Sequence, residues 1–253
     1  MSDKSQDPKE MSILQHLGEL RRRMLVSLAA ILVATCVALI FSGEILKLFL
    51  VPAGGMHLKA FSLLDGFMIR FKISLYAGVA ATFPVWIYQA YSFVRPGLYV
   101  RERKVVFPML FGSLVLFILG MVFAYSMLSS MVRVMIQIFP SSVDLLPSAD
   151  SYISFVTFFL LACGLVFQLP TVLIALVQLH IISTRLLRKQ RRIAYFLLFA
   201  FAEIITPVSD PIVAPLTVMV PLVVLYEISI FLGRRIEARR ERAQALSQEA
   251  GPS

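Results

Sequence analysis

Six apolar blocks, at about 24–42, 67–91, 105–127, 152–179, 193–205 and 212–232, alternate with short polar segments along the chain. At about 1.5 Å of helix per residue, five of them reach across a hydrocarbon layer ~30 Å thick. The fifth, Ile193 to Ile205, reaches only about 20 Å. It is therefore re-entrant, or one arm of a hairpin of two short spans in a thinned bilayer. The length of the sixth block favours the hairpin and a count of six spans. Ahead of the first block, Ile13, Leu17, Leu20 and Met24 recur at helical spacing while Glu19, Arg22 and Arg23 take another face. That pattern predicts an interfacial turn running into the first span. Segment 43–66 contains Pro52, Gly54 and Gly55 and has no clean apolar run, so it is expected outside, with short helices on the membrane. Pro84 and Pro170, inside the second and fourth blocks, predict kinks.

Charge orients these blocks. The N-terminus and segments 95–104, 185–192 and 234–242 carry five, four, five and five basic residues; the alternate segments carry Lys47 and Lys59, then Arg133, then none. Basic segments stay on the cytoplasmic side, so both termini are expected inside. The chain then divides into a disordered cytoplasmic N-terminus (1–12), a six-span membrane domain (13–233) and a charged cytoplasmic tail of helical tendency (234–253). Arg70 and Lys72, at the outer end of the second span, are expected to snorkel to the interface.

Composition agrees with the blocks. Of 253 residues, 58% are hydrophobic and 15% charged, against about 25% charged in soluble domains, and mean hydropathy is +0.82. The fold class is all-α, a polytopic membrane protein. The net charge of +9 lies in the orienting segments, which argues against nucleic acid and leaves attraction to anionic lipid as its second role. Cys36 and Cys163 both fall in apolar blocks and are expected as buried thiols. The first block begins only after about 24 residues with no small-residue cleavage pattern, so it is expected to be retained.

The chain carries no HExxH, CxxC, Walker or GxSxG motif, and His16, His57 and His180 are far apart. No catalytic residue, metal or cofactor is expected, and the chain reads as a non-enzyme. Polar groups inside the apolar blocks are costly and usually face protein or water. Gln168 sits where Pro170 frees the carbonyl of Val166, so it either lines the concavity of the bundle or bonds to that freed backbone or to a neighbouring helix. Glu227 either pairs with Arg234 or Arg235 or lines a polar groove. Glu203 reads as structural, and Asp210 lies in the outer hairpin TPVSDP. Trp86, Tyr88, Tyr91, Tyr99 and Tyr195 fall toward predicted interfaces as an aromatic belt.

Two acids stand within basic cytoplasmic segments: Glu19 in ELRRR and Glu102 in RERK. Each is either a solvated acid balanced by its neighbours or a receptor for guanidinium groups, since a carboxylate accepts an arginine fork bidentately. Two other classes compete at this point. A proton-coupled secondary transporter of a small solute predicts an internal repeat and a midplane site, and no matching halves are visible. An intramembrane enzyme needs a paired nucleophile and base, or two acids in facing spans, and the sequence offers neither clearly.

The stretches HLGELRRR (16–23), FVRPGLYVRERK (93–104), PMLFGSLVLFILGMVFAY (108–125), SYISFV (151–156), GLVFQLP (164–170), TPVSDP (206–211) and PLVVLYEISIF (221–231) follow one another in an order that resembles the TatC family over essentially 12–233. That family is the multispanning core of the twin-arginine, Sec-independent protein translocase. The resemblance implies a curved, glove-like six-span bundle in the cytoplasmic (inner) membrane. It also implies recognition of twin-arginine signal peptides and transport of folded proteins driven by the proton motive force. Expected partners are single-span TatA- and TatB-type subunits, twin-arginine precursor proteins, membrane lipid and further copies in an oligomer. By resemblance, Glu19 and Glu102 receive the twin arginines. Leu17, Leu20 and Arg21 belong to the same N-terminal motif, and Phe93, Pro96 and Tyr99 shape the first cytoplasmic loop. Pro52 matches a family proline, and Asp210 the acid of the outer hairpin. The family frequently has glutamate where Gln168 stands, and TPPD where this chain has TPVSDP.

Overall fold

The computed structural model describes residues 13–94, 106–137, 140, 146–179, 181–206 and 213–249. The predicted interfacial turn and first span form one helix, α1 (Ile13–Ile40), with no proline to break it. A short helix, α2 (Ser42–Leu50), and a 3-10 turn at Val51–Ala53 follow, and Pro52 is buried in the first turn of the latter. The last carbonyls of a helix have no partner within it. Here the Tyr125 hydroxyl donates to the carbonyl of Leu48 (3.0 Å) and the Tyr152 hydroxyl to that of Phe49 (2.8 Å). Further along, the amide of Lys59 donates to the Pro147 carbonyl (3.0 Å) and that of Ala149 to the Lys59 carbonyl (2.9 Å). Segment 43–66 is thereby pinned to the start of the fourth block.

Both predicted kinks are complete helix breaks, each placed just before its proline. α3 (Asp65–Ala81) ends at Thr82 and α4 (Phe83–Val94) begins immediately after it. Pro84 then falls in a first turn, where its missing N–H costs no intrahelical bond. Thr82 Oγ1 donates to the Gly78 carbonyl (2.7 Å) and Trp86 Nε1 to the Val79 carbonyl (3.2 Å). Trp86 closes a break rather than serving only in an aromatic belt. After α5 (Val106–Gln137), the fourth block divides in the same way into α6 (Ala149–Val166) and α7 (Leu169–Gln178), with Pro170 in the first turn of α7. The chain continues through α8 (Thr184–Lys189) and α9 (Arg191–Ile205) to α10 (Val213–Glu249), which contains Pro221. α10 runs past Gly233 without interruption, so the charged tail extends the last apolar block as one rod.

Residues 15–40, 108–137, 149–178 and 214–239 are each long and apolar enough to cross a membrane. α3, with 17 residues, and α9, with 15, are shorter. The protein is all-α and spans the membrane several times. α1 packs on α3 and α4, α3 and α5 on α6, and α10 on α7 and α9. Two glycines permit the closest crossings. A Cβ at Gly78 would lie 2.8 Å from the backbone nitrogen of Thr35 in α1, and one at Gly120 would lie 2.7 Å from the Cys163 carbonyl oxygen in α6. The stacked rings of Phe83 and Phe117, with centroids 4.0 Å apart, fill the space between α4 and α5.

Large apolar side chains on α1 face outward, among them Leu25, Leu28, Leu32 and Val33, a pattern that fits lipid and not water. This changes the reading of one thiol. Cys163 is buried, but Cys36 is exposed on α1, because an apolar residue of a span faces lipid as readily as protein. Lys72 also differs from expectation. Its ammonium donates to both oxygens of Asp150 (2.6 and 2.7 Å) and to Ser154 (2.9 Å). It joins α3 to α6 instead of reaching freely for the interface.

Candidate functional site

The N-terminal turns of α1 carry His16, Glu19, Leu20 and Arg23 at helical spacing, and this stripe meets Gln89 and Phe93 on α4. The His16 and Phe93 rings stack with centroids 4.1 Å apart and planes 16° from parallel. One turn further along α1, Arg23 Nε donates to Glu19 Oε1 (3.0 Å), Arg23 Nη2 donates to the same oxygen, and Arg23 Nη1 reaches Gln89 Oε1 (3.2 Å). The i,i+4 spacing brings the acid and base together, and α4 supplies the third partner. Both side chains are 24% exposed, so the pair is more shielded than an ordinary surface salt bridge.

The asymmetry of this pair has a chemical consequence. Arg23 uses one carboxylate oxygen, and among the described residues Oε2 receives no hydrogen bond. A carboxylate has about four lone-pair positions and can accept from two guanidinium groups. The resident arginine therefore holds Glu19 in place through Oε1, and among the described residues Oε2 keeps its accepting capacity for an incoming cation. Leu17 is 55% exposed beside it, Arg21 is exposed and Leu20 half-buried. Glu102, Pro96, Tyr99 and Asp210 lie outside the described residues, as do residues 1–12 and His180.

Gln89 and the inward turn of Arg23 escape a linear reading. The three arginines look equivalent in sequence, yet only Arg23 is half-buried. The spacing of Glu19 and Arg23 was a usable signal, as was a glutamine inside the second apolar block.

Two of the polar groups expected inside the spans, Gln168 and Glu227, have partners in the bundle. Gln168 is 6% exposed. Its Nε2 donates to the Ser113 carbonyl (3.1 Å), with Gly164 O at 3.5 Å, and its Oε1 accepts from Ser113 Oγ (2.5 Å). The neighbouring helix, α5, is thus its main partner, and the amide joins α5 to the α6–α7 break. Replacing Gln168 with leucine leaves the Ser113 hydroxyl unpaired in the interior, at a cost of about 1–3 kcal/mol. The melting temperature in detergent is expected to fall for Gln168→Leu and to recover in part when Ser113→Ala is added.

Glu227 does not pair with Arg234 or Arg235. Its Oε2 accepts from Arg191 Nη2 and its Oε1 from the Tyr195 hydroxyl, each at 2.6 Å. A nearby helical turn is out of reach because both partners stand on α9, which faces Glu227 across the α9–α10 contact. Tyr195 is thereby a bonding partner as well as an interfacial aromatic. Glu237 on α10 accepts from the Thr184 amide (3.0 Å) and the Thr184 hydroxyl, seating α8 against the last helix. Among the described residues no group of three or more His, Cys, Asp or Glu side chains could hold a metal ion.

Residues 15–221 match the family model of TatC, the Sec-independent protein translocase protein. The chain is 35% identical to the Sec-independent protein translocase protein TatC of Frankia casuarinae, over 92% of this chain and 69% of that protein. With the TatC of Carboxydothermus hydrogenoformans the identity is 32%, over 92% of this chain and 97% of the other. Among solved structures, a crystal structure of the twin arginine translocase receptor TatC in DDM superposes with a TM-score of 0.77 at 32% identity, covering 86% of this chain and 99% of that one. A second crystal structure of that receptor gives a TM-score of 0.73 at 33% identity, over 87% and 98%. The multispanning helical fold is therefore that of a member of the TatC family of Sec-independent protein translocase proteins, to which this chain belongs.

Proposed function

We propose that this chain is the signal-peptide receptor and core subunit of a twin-arginine translocase that moves folded proteins across the cytoplasmic membrane, driven by the proton motive force. The observation that carries this reading is the Glu19 carboxylate, held by Arg23 through one oxygen while the other receives no hydrogen bond among the described residues. One arginine of the signal peptide lands on Glu19 Oε2. The other lands on Glu102, in the segment that follows α4, the helix whose Phe93 is stacked on His16. The six spans are α1, the α3–α4 pair, α5, the α6–α7 pair, α9 and α10. The basic segments place both termini in the cytoplasm, with 1–12 and 234–253 flanking the membrane domain. α9 crosses as a short span beside the long α10. Asp210 belongs to the segment TPVSDP that joins the last two spans in sequence, and Pro52 shapes the first external segment. Single-span TatA- and TatB-type subunits and further copies of the chain complete the pathway.

Lysine offers a charge but no planar fork. A peptide whose twin arginines are replaced by twin lysines is therefore expected to bind the detergent-solubilised protein about tenfold more weakly, or worse. Equal affinity for the two peptides in a fluorescence titration would overturn the receptor reading.

A further inference from the structure

Between α5, α7 and α10 lies a cavity of about 590 Å³, with Leu116, Ile174, Leu225, Ile228 and Leu232 along its apolar length and Arg235 and Arg239 at one end. Positions 225, 228, 232, 235 and 239 recur every three or four residues, so α10 contributes one continuous stripe. The stripe changes from apolar to cationic between Leu232 and Arg235. From Arg235 back to Leu225 is about 15 Å of helix, half of a ~30 Å hydrocarbon layer, and hence the depth of one leaflet. The Arg235 guanidinium lies over the Phe231 ring, 4.4 Å from its centroid, folded back toward the apolar end in the direction helical side chains take.

Two acids of α10 on either side of this end bond to other elements, Glu227 to Arg191 and Tyr195 and Glu237 to Thr184. Among the described residues neither Arg235 nor Arg239 forms an ion pair. An apolar slot one leaflet deep, ending in two guanidinium groups, is complementary to a molecule with a hydrocarbon chain and an anionic head. Guanidinium binds phosphate oxygens through a planar fork, and basic pockets between spans take anionic lipid headgroups.

We infer that this cavity seats one anionic phospholipid, with an acyl chain between α5, α7 and α10 and its phosphate across Arg235 and Arg239. Only the identity of the leaflet, the cytoplasmic one, rests on the proposed orientation. The apolar segment of a signal peptide is the competing occupant. Its arginine-bearing end would meet the two arginines with like charge, so the charge pattern favours the lipid.

The test is native mass spectrometry of the full chain taken from vesicles of equimolar phosphatidylcholine and phosphatidylglycerol. The wild type is expected to retain one phosphatidylglycerol, and R235Q/R239Q to retain it about tenfold less. R185Q/R188Q, with the same loss of charge at α8, is expected to leave retention unchanged. Ile228→Trp fills the slot with both guanidinium groups intact and is expected to release the lipid as well. Equal retention of phosphatidylcholine, unchanged retention in R235Q/R239Q, or equal loss in R185Q/R188Q would overturn the proposal. A signal peptide that crosslinks from its apolar segment to Ile174 in protein still holding its lipid would overturn it too. E19Q keeps this readout separate from the receptor site, since that variant is expected to lose the peptide and keep the lipid.

Discussion

Glu19→Gln is expected to weaken binding of a twin-arginine peptide by about ten- to a hundredfold, with the amount of inserted protein unchanged. A hydrogen bond to a charged group is worth about 1.5–3 kcal/mol, and about 1.4 kcal/mol corresponds to a factor of ten. Glutamine preserves the shape of the side chain and removes the charge that a guanidinium requires. It also exchanges one accepting oxygen for an NH2 donor, which faces an incoming arginine unfavourably. Arg23 still has Gln89 Oε1 at 3.2 Å, so α1 keeps a tie to α4 and the fold has little reason to change. Arg22→Gln is the matched control, because Arg22 is exposed and stands outside the Glu19–Arg23–Gln89 set. Peptide photocrosslinking in membranes provides the measurement. Crosslinking of the glutamine variant at wild-type strength would remove Glu19 from the receptor.

The second large effect is steric. Gly78→Leu is expected to detach α1 from α3 and to lower the melting temperature in detergent sharply. Even the first added carbon would sit 2.8 Å from the Thr35 backbone nitrogen and 3.0 Å from its Cα, and backbone cannot rotate away as a side chain can. Thr35 is itself buried. Overpacking of this kind costs about 1–3 kcal/mol or more, a large part of a net stability of about 5–15 kcal/mol. α1 has few other contacts to compensate, since it rests mainly on α3 and α4. Gly112→Leu serves as the control within another span, for a Cβ there meets nothing within 4 Å. Limited proteolysis should find the Gly78 variant cleaved and the Gly112 variant protected. Equal melting of the two would mean that the α1–α3 crossing is not a load on the fold.

Gly78→Leu also endangers the receptor indirectly. Glu19 and Arg23 are carried by α1, and Gln89 by α4 beyond the Thr82 break. A shift of α1 against α3 separates the three groups. The two variants are thus distinguished by what they lose: Glu19→Gln loses peptide from a folded protein, and Gly78→Leu loses the fold and the peptide together.

Several elements were legible in the linear sequence because lipid imposes a simple rule on it. A helix buried in hydrocarbon must satisfy its backbone internally and cover itself with apolar side chains, so the blocks at 24–42, 105–127, 152–179 and 212–232 reappear within α1, α5, α6–α7 and α10. Pro84 and Pro170 marked the two broken blocks, since a missing amide is a local property. The breaks fell before the prolines, at Thr82 and at Phe167–Gln168, because proline is accommodated in the first turn of the following helix. Glu19 was recognisable by its position among arginines and by the HLGELRRR motif.

Partner choice was a different matter. Lys72 looked free to snorkel and instead holds Asp150 across α3 and α6. Glu227 was expected either to pair with Arg234 or Arg235 on its own helix or to line a polar groove, and it took Arg191 and Tyr195 from α9. Gln168 joins Ser113 on α5, 55 residues away. Cys36 faces outward and Cys163 inward, although both stand in equally apolar surroundings along the chain. By itself the sequence determined which segments are helical and apolar, where they break, and which carboxylate stands at the mouth of the first span, since these follow from local hydropathy, proline and charge. Only the tertiary structure decided which face of each helix meets a neighbour, and hence that Arg23 bonds both Glu19 Oε1 and Gln89 on α4. Lipid and protein are equally apolar, so hydropathy does not distinguish them, and contacts between distant residues arise only when the helices pack.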